Sequence, residues 1–377
     1  MKILFCSPNP LDRKLGAPKV LIELAEEMTK LGCECTLVSD KDTCPEIDQY
    51  QGLGKNLMYM EALRDFLKRE SANFDVVDYE HRYLPYSRNL FPKKPLFVAR
   101  SVMLFQHLER IKFPRFSGLR SWIGFLTKEP SRRKEQKTMI GYCDQTCKEA
   151  DLINVSNDYD KVELIRRGFE ADKILVVPYG LTESRFSVFK NIGLQIPPQP
   201  RVAFVGTFDV RKGAKEFPEI FQIVLKNIPQ VKFRLIGARY RSPDEILNHF
   251  PKNLHSAIEL VTHFEPEELP SILNECSVGI FPSYLEGFGF GVLEMLAAAI
   301  PVIGYDAPGV PMMLTNEYLV PSGDARAMAE KVVHLLKDKE KLSISRAWAK
   351  TRAQDFPWSR AAKITFEAYG ARLAQKN

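Results

Sequence analysis

Residues 278–303, VGIFPSYLEGFGFGVLEMLAAAIPVI, decide the fold. Val278 to Pro282 is short and apolar enough for a buried parallel strand. A turn follows, Ser283-Tyr284-Leu285-Glu286-Gly287-Phe288-Gly289, and then Phe290 to Ala299, whose Leu, Glu, Met and Ala are strong helix formers. Pro301 restarts the chain as a second strand, Val302 to Tyr305. Strand, glycine-rich turn, helix and strand make one right-handed crossover of an α/β protein. The turn directs backbone N–H groups at the positive end of a helix towards an anion, above all a phosphate. Gly287, Gly289 and Gly291 let that backbone approach closely. Two carboxylates flank the turn. Glu294 repels phosphate and is better employed accepting hydrogen bonds from the paired hydroxyls of a ribose. Glu286, at the mouth, suits the hydroxyls of a second sugar. A diphosphate between a ribose and another sugar is a nucleotide-sugar. The competing reading is an ordinary crossover, with glycines for packing and glutamates for the surface.

The full string resembles the donor-site signature of the retaining glycosyltransferases of family 4, the group 1 enzymes of the GT-B fold. There a Glu, seven residues and a second Glu follow a Pro-Ser strand end, as in Pro282-Ser283, Glu286-Gly287-Phe288-Gly289 and Leu293-Glu294. The resemblance implies two Rossmann-like β/α/β domains facing across a cleft, with the last helix crossing back to the first domain. Residues 1–190 are then the acceptor-binding domain, completed by helix 358–377, and residues 191–357 the donor-binding domain. The implied donor-binding residues are Gly16, Gly206, Gly237, Gly287, Phe288, Gly289, Phe290, Leu293 and Glu294. Lys212, Arg211 and Glu286 are the implied catalytic set.

Composition agrees with two soluble domains. The chain has 377 residues, too many for one core. Its 45% hydrophobic and 27% charged content is ordinary. No apolar run reaches the length of a membrane span. The N-terminal MKILFCSPNP reads as a first buried strand rather than a signal peptide. Seven scattered cysteines suit a reducing cytosol. Cys33, Cys35, Cys143 and Cys147 lack a suitably spaced His, so no metal site is expected. The net charge of +6 is uneven. Arg110, Lys112, Arg115, Arg120 and Lys128 interleave with Phe113, Phe116, Trp122, Ile123, Phe125 and Leu126. Residues 110–126 therefore read either as a surface for an anionic membrane or acceptor, or as a solvated helical lid with its aromatics in the core. Nucleic acid is not expected, since no recognition motif accompanies the charge. The expected location is cytoplasmic, peripheral on the inner face of a membrane if residues 110–126 dock there.

Taken in order, Lys2 to Cys6 is a strand, Ser7 to Ala17 a loop, and Val20 to Leu31 a helix entered through Pro18. The resemblance places the first loop against donor phosphates, a role that passes to Gly16 alone because Leu15 stands where relatives have a second glycine. Phe74 to Asp78 and Leu96 to Ala99 are strands whose polar ends, Tyr79-Glu80-His81-Arg82 and Arg100-Ser101, lie where open α/β sheets bind ligands. Many relatives carry a His after the second of these; here the chain reads Arg100-Ser101-Val102-Met103. Either His107 swings in, or Arg100 and Ser101 take over, or no imidazole is needed; these three are the acceptor-side candidates. Residues 182–200, with Pro197, Pro198 and Pro200, read as a linker.

Val202 to Gly206 opens the second domain and leads into Thr207-Phe208-Asp209-Val210-Arg211-Lys212-Gly213. Arg offers a planar fork and Lys a point charge, both suited to a diphosphate. Thr207 stands where the family has an Arg, Lys212 matches its Lys, and Arg211 is the candidate to compensate. Gly237 and His263-Phe264 resemble the family's turns near the nucleobase. Met312-Met313 occupy a place where relatives often have a Glu.

The expected activity is transfer of a sugar from a UDP- or GDP-sugar to a glycan or lipid-linked acceptor, with retention and without a metal. The nucleotide-sugar is a co-substrate, and no cofactor is expected. Two alternatives stand beside it: a nucleotide-sugar epimerase or phosphorylase of the same superfold, and a non-catalytic nucleotide- or glycan-binding relative.

Overall fold

The computed structural model describes residues 1–113, 119–238 and 242–376, the side chains of 119–132 excepted. The chain divides into two units, one of residues 1–110, 117–179 and 358–377, the other of residues 111–116 and 180–357. The first break falls at Tyr179–Gly180 rather than at 190, because residues past 180 already pack within the second unit. Leu181 N donates to Phe356 O, and Lys350 Nζ reaches the carbonyls of Lys190 and Ile192.

In the first unit the order is β1 (Lys2–Cys6), α1 (Gly16–Lys30), β2 (Glu34–Val38), α2 (Asp40–Thr43), α3 (Gly52–Glu70), β3 (Val76–Glu80), β4 (Leu96–Arg100), α4 (Leu119–Glu149), β5 (Leu152–Val155), α5 (Asp158–Arg166) and β6 (Ile174–Val176). The second unit runs through α6 (Glu183–Phe189), β7 (Arg201–Val205), α7 (Phe217–Asn227), β8 (Lys232–Ile236), α8 (Pro243–Leu247), β9 (Ile258–Val261), α9 (Leu269–Asn274), β10 (Val278–Phe281), α10 (Phe290–Ala297), β11 (Val302–Asp306), β12 (Leu319–Pro321), α11 (Ala325–Lys337) and α12 (Lys339–Ala353). The last helix, α13 (Trp358–Lys376), returns to the first unit.

Each unit is built on a six-stranded sheet, ordered β2-β1-β3-β4-β5-β6 and β12-β11-β10-β7-β8-β9. Every pairing is parallel. Parallel strands covered on both faces need apolar side chains on both, so β1, β4, β5 and β10 are short runs buried almost throughout. It also places all the strand-end loops of a unit on one edge.

In the first unit α13 packs on α1, where the Trp358 indole donates to Glu23. Further along, Tyr369 donates to Asp78 at 2.5 Å. Asp78 also takes a forked pair from Arg100, at 3.0 Å from Nε to Oδ1 and 2.6 Å from Nη2 to Oδ2. Arg100 Nη1 bonds Asn154. A fully enclosed arginine is tolerable only when paired in this way.

Helix α1 begins earlier than the sequence suggests. Gly16 is its first residue rather than part of a loop, and Pro18 lies inside the first turn. A helix, α6, also occupies the stretch read as a linker. Thr182 caps it by accepting from Arg185 N, and Phe189 anchors it in the core. Most of the basic and aromatic stretch 110–126 lies outside the described residues or their side chains. Of its described part, Arg110 pairs with Glu163 at 3.3 Å.

Candidate functional site

The second unit's strand-end edge assembles most of the residues singled out above. Gly213 has φ +80, and a Cβ there would lie 2.3 Å from Pro282 O. Only glycine lets the loop after β7 press against the end of β10. The two loops are also laced by backbone: Tyr284 N donates to Arg211 O at 2.9 Å. Gly309, at φ +88, packs against Glu286 and Gly287, and Glu286 N donates to Pro308 O. The loops after β7 and β11 therefore fix the turn.

Glu286 sits at the centre, 7% exposed. Its Oε1 takes Lys212 Nζ at 2.6 Å and Arg211 Nη1 at 3.4 Å, and accepts from Ser283 Oγ. Arg211 is further held by Leu285 O at 2.9 Å. Burial works to raise the Glu286 pKa, but Lys212 first and then Arg211 and the Ser283 hydroxyl hold it below the ordinary glutamate value. Burial pulls the Lys212 ammonium below its ordinary value, with Glu286 opposing.

A depressed carboxylate pKa stabilises the fold fully above the unfolded value, about 4.3, and this contribution is lost as pH falls through the folded value. Glu286→Gln is therefore expected to flatten the fall of stability below about pH 4.3, measured by denaturant unfolding at a series of pH values. Parallel wild-type and variant curves would contradict the ion pair.

Lys212 Nζ lies 5.2 Å from the centroid of the Phe281 ring. The same ring lies against the start of α10: a Cβ on Gly289 or Gly291 would meet it at 3.8 or 3.2 Å. Gly289 caps α10 in the left-handed region, φ +91, as a residue without Cβ can at low cost. Gly291 answers to the fold, since its Cβ would sit 2.4 Å from Val205 O. A lysine and the N-terminal turn of a helix thus share one aromatic wall, an arrangement that favours an anion.

Glu294 is 8% exposed on α10, and its Oε1 accepts from Arg185 Nη2. Leu293 is fully buried, because the run from Val292 to Ala297 packs into the unit. Phe288 is 2% exposed, its ring edge-on to Phe290 and Phe356.

Gly206 and Gly237 end β7 and β8 side by side, with the Phe264 ring 3.3 Å from where a Gly237 Cβ would be. His263 is exposed beside Glu265, at 3.8 Å. Thr207, which replaces the expected cation, donates to Asp209 at 2.6 Å. Where relatives often have a Glu, the Met312 and Met313 carbonyls accept from Arg352.

The remaining candidates belong to the first unit. Gly16 has neither a positive φ nor a neighbour within 4 Å of its missing Cβ, so this unit does not itself demand a glycine there. Arg100 has its guanidinium taken up by Asp78, Asn154 and Tyr369 and reads as structural rather than as an acceptor contact. His107 is held by Asp160 at 2.8 Å instead of swinging free. Ser101 Oγ is buried without a partner among the described residues. Ser7, Pro8, Ala17, Leu21, Glu80, Arg100 and Val102 line a small cavity at the strand-end edge.

Sequence reasoning missed Arg185, hidden in the presumed linker, and Glu216, which accepts from Tyr284 OH. For Arg185 a signal existed: Thr182-Glu183 is a helix start, with Phe186 and Phe189 at helical spacing.

Residues 199–338 match the family described as Glycosyl transferases group 1. The chain is 24% identical to O-antigen chain mannosyltransferase B of Escherichia coli over 231 residues, 58% of this chain and 60% of that protein. It is 30% identical over 224 residues, 54% of each, to an N,N'-diacetylbacillosaminyl-diphospho-undecaprenol alpha-1,3-N-acetylgalactosaminyltransferase of Campylobacter jejuni. These matches span at most about three fifths of the relatives' lengths. In structure, it resembles sucrose-phosphate synthase from Thermosynechococcus elongatus with TM-score 0.74 at 17% identity, both chains covered in full. Anabaena HepE, solved with UDP and glucose, matches with TM-score 0.66 at 13% identity over 98% of this chain and 100% of that one. The fold is GT-B.

Proposed function

We propose, from the match of residues 199–338 to the glycosyl transferases group 1, that this protein transfers a sugar from a nucleoside-diphosphate sugar to a glycan or lipid-linked acceptor. The observation that carries the reading is the second unit's site: Lys212 and Arg211 converge beside the start of α10, flanked by two carboxylates each held through Oε1. The protein's relatives, a mannosyltransferase and an N-acetylgalactosaminyltransferase named for a diphospho-undecaprenol, favour that acceptor class.

Departure of the diphosphate from the anomeric carbon builds negative charge on its oxygens. Donors already in place there stabilise the transition state more than the ground state. Lys212, Arg211 and the N-terminal turn of α10 supply them, and no divalent metal is required in this reading. Glu286 Oε2 accepts from a hydroxyl of the transferred sugar and Glu294 Oε2 from the ribose. Gly206, Gly237 and Phe264 form the platform for the base. In the first unit, Ser101 with the cavity beside it is the acceptor-side candidate. Retention follows if the acceptor attacks the face the diphosphate leaves, the departing oxygen taking the acceptor's proton. No protein base is then needed, in keeping with His107 held by Asp160.

A thermal-shift comparison of UDP-, GDP- and ADP-sugars tests donor binding, since a bound ligand stabilises the fold by mass action. One class is expected to raise the midpoint, and turnover is expected only when an acceptor is added. Glu294→Ala should weaken the stabilising nucleotide-sugar by about 10- to 100-fold, the worth of a hydrogen bond to a charged group. Unchanged affinity would remove Glu294 from the site. Conversion of the donor without an acceptor would point to an epimerase instead.

A further inference from the structure

Glu294 is not a free carboxylate. Its Oε1 is gripped by Arg185 Nη2, and both side chains are largely shielded from solvent. The support behind Arg185 is firm. Thr182 caps α6, Phe189 is 2% exposed, and the chain on either side is tied by Leu181 N to Phe356 O and by Lys350 to the Ile192 carbonyl.

A glutamate carboxyl turns easily about its last bond, because that torsion has broad minima. A cation on one oxygen fixes the plane and so aims the other. Glu286 shows the same device: Lys212, Arg211 and Ser283 all meet Oε1. At Glu294, Arg185 alone does this among the described residues, and it brings something Lys212 does not. Arg185 Nε is buried and has no hydrogen-bond partner among the described residues. A buried donor left unpaired is costly, so the arrangement is incomplete as it stands. What completes it must offer a hydroxyl hydrogen to Glu294 Oε2 and an oxygen to the guanidinium. A vicinal diol offers both.

We propose that Arg185 is a specificity-determining residue that, with Glu294, reads the ribose diol of the donor: the acid accepts from one hydroxyl and the guanidinium donates to its neighbour. This rests on the reading of Glu294 as the ribose acceptor. An ion pair that merely braces α6 against α10 would weaken all ligands by one common factor. A diol reader instead affects ribonucleotides selectively. Lysine, a point charge without the planar fork, replaces arginine only in part.

The test is calorimetric titration of the full chain with UDP and GDP, each beside its 2′-deoxy and 3′-deoxy counterpart, and with inorganic pyrophosphate. Wild type is expected to prefer the ribonucleotide by about tenfold or more. Arg185→Ala is expected to bring the ribo/deoxy ratio to within about threefold of unity while leaving pyrophosphate affinity unchanged, with Arg185→Lys between the two. A folded Arg185→Ala that keeps the wild-type ratio overturns the proposal and leaves the ribose reading of Glu294 intact. Should Arg185→Ala fail to fold, Arg185→Lys decides: a reduced ratio supports the proposal and an unchanged one overturns it. Wild type that binds no nucleotide, or binds ribo and deoxy forms alike, overturns the proposal together with the reading beneath it.

Discussion

Lys212→Ala is expected to lower turnover with the stabilising nucleotide-sugar by about 10²–10³-fold, or ~3–4 kcal/mol of barrier. The size follows from what the ammonium touches. It lies 2.6 Å from Glu286 Oε1 and 5.2 Å from the Phe281 centroid, on the ring that also meets the start of α10. Without it, Glu286 keeps the Ser283 hydroxyl and only the longer ion pair to Arg211, at 3.4 Å, and a diphosphate arriving there meets an under-compensated carboxylate. Charge on the leaving oxygens grows along the reaction, so the loss should fall more on kcat than on KM. Lys212→Met, which keeps most of the stem, should show nearly the same loss if charge rather than packing is responsible. Turnover within threefold of wild type, in protein with an unchanged unfolding midpoint, would take Lys212 out of the chemistry.

The largest stability effect is expected at the neighbouring residue. Gly213→Ala forces an L side chain into φ +80, at a cost of about 1–2 kcal/mol. The new methyl would also stand 2.3 Å from Pro282 O and 2.8 Å from Pro282 Cβ, and relieving such overpacking costs roughly 1–3 kcal/mol more. A total near 2–5 kcal/mol should lower the midpoint by about 5–15 °C for a unit of this size. Because the loop after β7 would have to lift from the end of β10, Lys212 and Glu286 should separate and nucleotide-sugar binding weaken in parallel. Gly54→Ala is the control: it lies within α3, without a positive φ and with no atom within 4 Å of a Cβ. Helix propensity predicts that this variant is neutral or slightly stabilising. Equal midpoints for the two variants would dissolve the steric argument.

The sheets were legible in the sequence because a strand buried on both faces has to be a short apolar run. Those runs, from Lys2 to Cys6 through to Val302, recur with helices between them. The phosphate-facing turn was legible for the same local reason, glycines and helix formers standing next to each other in the chain. Pairings across long separations were not. Nothing near Glu286 announces that Lys212 will lie on it, because their approach depends on Gly213 meeting Pro282. Arg185 was obscured by Pro197, Pro198 and Pro200, which give the whole stretch a linker's composition although a capped helix precedes them. Gly291 was read as serving a ligand and instead accommodates the Val205 carbonyl. A glycine spared for packing and one spared for a substrate look identical as letters.

The return of α13 to the first unit sets an order on biosynthesis. A ribosome releases every residue of 180–357 before it delivers Trp358 and Tyr369, so the later unit has its complete parts list while the earlier one still waits. Until the codons for Trp358 and Tyr369 are read, α1 has no indole to cover Glu23, and Asp78 and Arg100 lack the phenol that completes their network. Released chains truncated before residue 358 should therefore hold a protease-resistant second half and a digestible first half, the reverse of the usual N-terminal-first sequence.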